Sequence, residues 1–168
     1  EVRGEGALAW VDISTGEVWV MGCPPARLAP ELARLRPREV LLADGAPEGI
    51  IGTVEESGAA LTPLARGSFD STAAGRRLCE AYRVKTLDAF GAFTRPELGA
   101  LGALVDYLDI TQRGRMPLLM PPAREAVDRL RDAGWAIGLL RPRLLRPFPA
   151  TALGELLAGR RAVAVIDQ

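Results

Sequence analysis

Histidine is absent from this chain of 168 residues. It is the commonest general base of enzymes and the commonest metal ligand of proteins. A zinc site and a Ser-His-Asp triad are therefore excluded within this chain. Asparagine is absent as well, and Lys85 is the only lysine. With so much alanine, glycine, proline and leucine, this bias indicates a GC-rich genome, so the many arginines do not by themselves indicate a binding surface.

Cysteine and long apolar runs are also scarce. Two cysteines, Cys23 and Cys79, do not make a disulfide framework, and we predict a pair of buried free thiols. No apolar run reaches the ~18 residues of a membrane-spanning helix. No signal peptide opens the chain, although it starts at Glu1 without Met. We therefore expect a cytoplasmic protein that does not contact a membrane.

Charge is balanced overall but not along the chain. The net charge of zero argues against a dedicated nucleic-acid binder, and we expect no direct sequence-specific binding of nucleic acid. Residues 1–109 hold 11 basic and 16 acidic side chains, a net of −5, whereas residues 110–168 hold 10 and 5, a net of +5. This asymmetry indicates two unlike segments.

The first part of the chain alternates short strands and helices. Two runs rich in valine, isoleucine and tryptophan, residues 7–13 and 17–22, flank the turn residues 14–16 and predict a β-hairpin. Leucines at helical spacing predict a helix over residues 26–35, and the run EVLLA at 39–43 predicts a buried strand.

The middle of the chain is less regular. Residues 44–67, rich in glycine, proline and alanine, are interpreted as loop with one weak helix or strand, and 61–64 as a short edge strand. Asp70 or Ser71 is predicted to cap a helix that runs to about Tyr82.

A capping box at residues 94–97 (TRPE), with proline inside the first turn, predicts the most secure helix. Gly114 is predicted to end this helix. Its apolar stripe consists of Leu98, Leu101, Leu104, Val105 and Leu108.

Prolines 117, 121 and 122 mark a boundary, beyond which the pattern changes. It predicts a helix over residues 123–133, a strand over 135–140, a helix over 150–158 and a strand over 162–166. This order implies parallel strands joined by a right-handed crossover. The fold class is therefore α/β, with a first domain over residues 1–122.

Five motifs resemble, in order and spacing, the connector domain (domain II) of the MutS family of DNA mismatch-repair proteins. The resemblance covers residue 6 to about residue 122. The motifs are residues 7–17 (ALAWVDISTGE), 35–42 (LRPREVLL), 61–64 (LTPL), 69–70 (FD) and the stretch 101–120.

This resemblance implies a ribonuclease-H-like mixed sheet over residues 1–122. It also implies a connector that joins the mismatch-reading domain to the lever and ATPase parts, relays nucleotide state and contacts a MutL-like partner. The chain holds no Phe-x-Glu wedge for mismatch reading and no phosphate-binding loop. We therefore expect a non-enzymatic interaction module with no catalytic residues, cofactor or metal.

The last 46 positions, residues 123–168, resemble a different family, the transketolase C-terminal-like domain of 2-oxoacid:ferredoxin oxidoreductases. The motifs are residues 123–127 (AREAV), 138–141 (GLLR), 145–149 (LRPFP) and 162–167 (AVAVID). About half of that domain is covered, without iron–sulfur cysteines or a thiamine-diphosphate pocket. The simplest interpretation is a chimera whose added helix–strand–helix–strand extension is covered by the connector part or, in a homodimer, by a second copy.

Two alternatives stay open beside the connector. One is a fragment of a 2-oxoacid:ferredoxin oxidoreductase subunit. The other is a divergent metal-dependent nuclease, because ribonuclease-H-like nucleases place a metal-binding carboxylate at the end of the first strand, where Asp12 lies. Glu17, Asp44 and Asp70 are the other candidate ligands. The competing interpretation is that Asp12 and Ser14 hydrogen-bond the hairpin turn.

Two further groups of residues have an ordinary structural interpretation and a functional one. Trp10 and Trp19 are predicted to pack across neighbouring strands, with base stacking as the alternative. A basic loop with Arg141, Arg143 and Arg146, beside Arg113 and Arg115, is interpreted as solvated, with phosphate binding as the alternative.

Overall fold

The structure is a computed structural model that describes residues 5–112 and 117–124. Within these residues the chain is a mixed α/β protein, as predicted. The strands are β1 (Ala7–Asp12), β2 (Glu17–Gly22), β3 (Glu39–Ala43), β4 (Ala60–Leu64) and β5 (Ala123–Arg124). The helices are α1 (Pro25–Leu35), α2 (Glu48–Glu56), α3 (Ser71–Tyr82) and α4 (Arg95–Thr111), with short 3₁₀ turns at Arg66–Phe69 and Asp88–Phe90.

The predicted β-hairpin is confirmed. Strands β1 and β2 pair antiparallel, and Trp10 lies directly opposite Trp19. The turn between them depends on Gly16, which has a φ of +77° and donates its N–H to the Asp12 carbonyl at 2.8 Å. Glycine adopts this left-handed conformation without the steric cost that other residues pay there.

Residues 117–124, named here the exit segment, return to this hairpin. The N–H of Met120 donates to the Gly16 carbonyl at 2.7 Å. The carbonyl oxygen of Leu118 lies where a side chain on Gly16 would have to begin. Farther along, Ala123 and Arg124 pair parallel with Trp19 and Val20, so that β5 extends the hairpin to three strands in the order β1-β2-β5.

Strand β5 corrects the helix predicted over residues 123–133. Ala123 and Arg124, the first two residues of the predicted helix, are extended and paired with β2. The apolar spacing of the residues that follow them is what predicts a helix from residue 123 onward. The rest of that helix, the strands at 135–140 and 162–166 and the helix at 150–158 lie outside the described residues.

Strands β3 and β4 form a separate two-stranded parallel sheet, with Val40 opposite Leu61. The prediction of a buried strand at 39–43 was right only for Val40, because Glu39 is exposed and the other three residues are half-buried. The region interpreted mainly as loop contains α2, which connects β3 to β4 as a parallel pair requires.

Helix α4 begins as predicted. The Thr94 hydroxyl accepts the Glu97 N–H at 3.4 Å, and the Glu97 carboxylate accepts the Thr94 N–H at 2.7 Å. The helix ends at Thr111 rather than at Gly114. The inward face of α4 contains small residues as well as leucines. Gly102 is one of them, and a side chain at this position would collide with Ala74 of α3.

Two hydrophobic cores stabilise the described part of the chain. The first lies between the hairpin, α3 and α4 and contains Val18, Val20, Leu78, Leu101 and Val105. The second lies between α1, α2 and the β3–β4 sheet and contains Cys23, Leu28, Leu32, Val40 and Val54. Among the described helices, none is both long and apolar enough to cross a membrane.

We predict that Gly16→Ala destabilises the protein more than Gly58→Ala. Both glycines have nearly the same positive φ, +77° and +76°, but Gly16 is crowded by the Leu118 carbonyl and Gly58 has open space. The left-handed conformation alone costs an alanine about 1–2 kcal/mol. Displacing the exit segment adds roughly 1–3 kcal/mol, the usual cost of overpacking.

Urea unfolding of both variants and the wild type measures these losses. Gly58→Ala serves as the control for backbone strain. Equal losses of stability in the two variants would show that the exit segment does not press on the hairpin turn.

Candidate functional site

Asp12, the first residue proposed as a metal ligand, is held by its own turn. Its Oδ1 accepts the Ser14 hydroxyl at 2.5 Å and the Ser14 N–H at 2.8 Å. These hydrogen bonds, the side-chain one first, lower the pKa of Asp12 below its usual value. The arrangement supports the interpretation of Asp12 and Ser14 as turn residues.

The other proposed carboxylates have separate surroundings. Glu17 lies opposite Asp12 in the hairpin. Asp44 follows β3, and its backbone N–H and C=O bond Leu64 and Arg66. Asp70 caps α3 by accepting the Ala73 N–H at 2.7 Å. In residues 5–112 and 117–124, no three acidic or cysteine side chains come together as a metal site.

The cysteines match the prediction in part. Cys23 is buried in the second core, whereas Cys79 is partly exposed on α3, so the prediction of two buried thiols was wrong for Cys79. The Cys79 Sγ lies 3.9 Å from the Lys85 carbonyl oxygen. Neither cysteine is in a disulfide.

The two tryptophans pack across the hairpin as predicted, and one also meets a cation. The guanidinium carbon of Arg34 lies 5.8 Å from the ring centroid of Trp10. A cation over an indole face is stabilising. The basic loop with Arg141, Arg143 and Arg146, together with Arg113 and Arg115, lies outside the described residues.

Glu31 on α1 is a charged site that the sequence interpretation missed. Its carboxylate accepts hydrogen bonds from Arg27 at 2.8 Å and from Arg34 at 2.6 Å, and the residue is only 9% exposed. Burial alone would raise the pKa of Glu31, but the two arginines outweigh it and lower the pKa below its ordinary value of 4.5. The i,i+4 and i,i+3 spacing of the three residues was a readable signal.

A second polar cluster joins α4 to the small sheet. The Glu39 Oε1 accepts the Tyr107 hydroxyl at 2.8 Å and the Thr62 hydroxyl at 2.5 Å. The hydrogen bond with the Glu39 carboxylate raises the pKa of Tyr107. The cluster is partly exposed and joins α4 to both strands of the small sheet.

The third cluster links α4 to β5. The Nη2 of Arg124 donates to the Glu97 Oε2 at 2.5 Å, and Glu97 is 3% exposed. Sequence interpretation placed Arg124 in a helix and therefore did not pair it with the capping residue of α4. The second and third clusters each join α4 to another element, whereas the Glu31 cluster lies within α1.

Comparisons with known proteins divide the chain in two. Residues 3–120 match the family MutS domain II. Residues 116–168 match the family pyruvate:ferredoxin oxidoreductase core domain II. Both resemblances seen in the sequence, to MutS and to an oxidoreductase of this kind, are therefore confirmed.

The curated relatives that match most of the chain are named DNA mismatch repair protein MutS. That of Cereibacter sphaeroides is 65% identical over 125 residues, which cover 74% of this chain and 14% of the relative. That of Paracoccus denitrificans is 64% identical over 126 residues, covering 75% and 14%. That of Ruegeria pomeroyi is 53% identical over 131 residues, covering 77% and 15%.

The extent of these matches has two consequences. The chain spans about one-seventh of the length of these relatives. The match to the Ruegeria pomeroyi relative covers 77% of the 168 residues, about 129 of them. Even if it begins at residue 1, a match of this length includes positions beyond Pro122. That extent agrees with the pairing of β5 into the hairpin sheet.

We predict that Glu31→Gln lowers the free energy of unfolding at pH 7 by about 1 kcal/mol. This is the usual contribution of charge-assisted hydrogen bonds, reduced because both arginines are partly exposed to solvent. The pKa of Glu31 is lower in the folded than in the unfolded chain. Its contribution is therefore present above pH 4.5, the ordinary value, and is lost as the pH falls through the lowered folded pKa.

Urea unfolding of wild type and variant between pH 7 and pH 3 checks this. The exposed Glu55→Gln on α2 is the control and should change little. A difference between wild type and Glu31→Gln that persists at acid pH would contradict the proposed role of the carboxylate.

Proposed function

Because the chain belongs, through residues 3–120, to the MutS domain II family, we propose that this part is a connector and interaction module of a DNA mismatch-repair protein without catalytic activity of its own. The match of residues 3–120, with relatives up to 65% identical, is the observation that carries the proposal. The residues from 123 onward form a second, α/β domain in this proposal, although Ala123 and Arg124 still pair with the first.

The proposal includes the ribonuclease-H-like fold that the family resemblance implies, with the β3–β4 sheet packed close to the hairpin and α4. Two contacts support it. Leu8 of β1 packs against the same core as Val40 of β3. Tyr107 of α4, the helix that covers the hairpin, reaches Glu39 at the start of β3.

The absence of catalysis is supported by the use of the acidic side chains. Asp12 and Asp70 are engaged by local backbone donors, and Glu31 and Glu97 by arginines. Two-metal phosphoryl chemistry instead needs several acidic groups that converge on the ions. In the described part of the chain these carboxylates have structural roles.

We predict that the 168-residue chain does not cleave a labelled DNA duplex in the presence of Mg²⁺ or Mn²⁺. The physical reason is that the Asp12 carboxylate is held by Ser14 of its own turn, and that no three acidic side chains of the described residues come together around it. The measurement is gel electrophoresis of the labelled strand, with Asp12→Asn as the control. Cleavage by the wild type that disappears in Asp12→Asn would establish the nuclease alternative.

The partner proposed for this module is a MutL-like protein. We predict that immobilised chain captures purified MutL of Cereibacter sphaeroides, whose MutS is 65% identical to this chain where they match. A dissociation constant on the order of 1–100 μM is expected, because a single domain offers a small interface.

Biolayer interferometry measures this binding. The control is Val20→Asp, which places a charge at a fully buried position of the first core and should abolish binding by unfolding the module. A wild-type chain that is folded by circular dichroism yet captures no MutL would contradict the partner proposal.

A second candidate function has a specific observation in its favour. Residues 116–168 match pyruvate:ferredoxin oxidoreductase core domain II, so the chain is alternatively a fragment of a 2-oxoacid:ferredoxin oxidoreductase subunit. Isothermal calorimetry with thiamine diphosphate separates the two functions. Saturable heat would favour the oxidoreductase and would contradict the connector proposal.

We further propose that the two matched families were joined as a chimera near residue 122, just after residues 116–120, where the two family matches overlap. Contiguous coding of residues 115–130 in genomic DNA would exclude an artificial join. A second copy of the chain is the other partner proposed, and light scattering would show it as a mass of twice 18.0 kDa.

A further inference from the structure

Strand β4 contains a proline, Pro63, in its interior. Proline has no backbone N–H, and within sheets it is confined to edge strands, to the first residue of a strand and to bulges. We propose that Pro63 closes the outer edge of β4 to strand addition, so that the chain does not associate with a second copy through this sheet. The inference does not depend on the proposed function, and it places any dimer of the chain on another surface.

The hydrogen bonds at the two ends of the β3–β4 pair show which way the backbone of β4 points. The N–H of Ala60 donates to the Arg38 carbonyl at 2.9 Å. At the other end, the Leu64 carbonyl accepts the Asp44 N–H at 2.8 Å. The backbone groups of Ala60 and Leu64 are therefore directed toward β3.

The residues between them alternate in direction. In a ladder, the N–H and C=O groups of every second residue point to the same neighbouring strand. Thr62 lies midway between Ala60 and Leu64 and faces β3 with them. Leu61 and Pro63 face the opposite side, which is the outer edge of β4. Among the described strands, none pairs with β4 on that side.

The outer edge of β4 is therefore short of hydrogen-bond donors. Pro63 supplies none, and a ring carbon occupies the place of its missing hydrogen. Leu61 is then the one residue of β4 whose N–H points outward. Just before the strand, the Ala59 N–H donates to the Ser57 hydroxyl at 3.4 Å. A strand laid along this edge would meet an engaged donor at Ala59 and a gap at Pro63.

The proline takes the place of the other common protection of an edge strand. Edge strands are templates for association, and proteins protect them with charged side chains, proline or bulges. The five residues of β4, ALTPL, include no charged side chain. Because Pro63 faces away from β3, it provides this protection without removing a hydrogen bond from the ladder. Its side chain is exposed, so its replacement leaves the second core in place.

The test is Pro63→Thr in the whole chain. This variant restores an N–H on the outer edge and replaces an apolar ring with a polar side chain, so stronger association cannot come from added hydrophobic surface. Sedimentation velocity over a range of concentrations measures self-association. We expect the association constant to rise about tenfold above that of the wild type, the effect of about one backbone hydrogen bond. Hydrogen exchange read by mass spectrometry should show the Leu61 N–H protected in the associated species.

The matched control is Ala60→Thr, which introduces the same side chain at another exposed position of β4. The N–H of residue 60 already faces β3, so this variant should associate as the wild type does. Pro63→Ala is a second test variant, because it restores the same N–H with a small side chain and carries the test if Pro63→Thr does not fold. Circular dichroism shows which variants are folded.

Three results would each overturn the proposal. One is a folded Pro63 variant that associates no more than the wild type. Another is equal association of Ala60→Thr, since the added threonine and not the restored N–H would then be the cause. The third is association in which the Leu61 N–H exchanges as fast as in the wild type, because the chains would then meet at another surface.

Discussion

Helix α4 is the element on which the described fold depends. Two glycines, which have no side chain, allow it to take its position. Gly102 leaves no room for a carbon atom against Ala74 of α3, and Gly99 would place a side chain 2.6 Å from the Phe69 carbonyl oxygen. The helix backbone can therefore approach α3 and the turn before it closely. That approach lets Leu101 and Val105 reach Val18 and Val20 of the hairpin in one core.

From this position α4 also sets the polar contacts of the molecule. Near its carboxyl end Tyr107 bonds Glu39 of the small sheet, and at its amino end Glu97 bonds Arg124 of β5. The same helix thus contacts both sheets and the segment that follows it. Among the described residues, Glu39 and Glu97 are thus used to hold neighbouring elements against α4.

Features encoded by neighbouring residues could be predicted from the sequence, and features set by distant residues could not. The turn at residues 14–16 and the capping box at Thr94 have local signatures, so the hairpin and the start of α4 were predicted correctly. Helix α2 was obscured by its glycine-rich surroundings. The pairing of Ala123 and Arg124 with β2, and of Arg124 with Glu97, 27 positions earlier, arises only in the folded chain.

The difference between local signals in the sequence and contacts between distant residues also affects where the connector part is taken to end. The family-model match ends at residue 120 and the second family match begins at residue 116, whereas the similarity to individual relatives and the hydrogen bonds of the hairpin sheet reach past residue 122. Physical membership of a domain is decided by the contacts that a residue makes, and Arg124 makes a buried ion pair with the capping residue of α4. A boundary placed at residue 122 therefore separates β5 from the sheet in which it pairs. Any chain that replaces the residues after 120 has to supply an extended pair with a basic side chain opposite Val20, or leave the carboxylate of Glu97 with its capping bond alone.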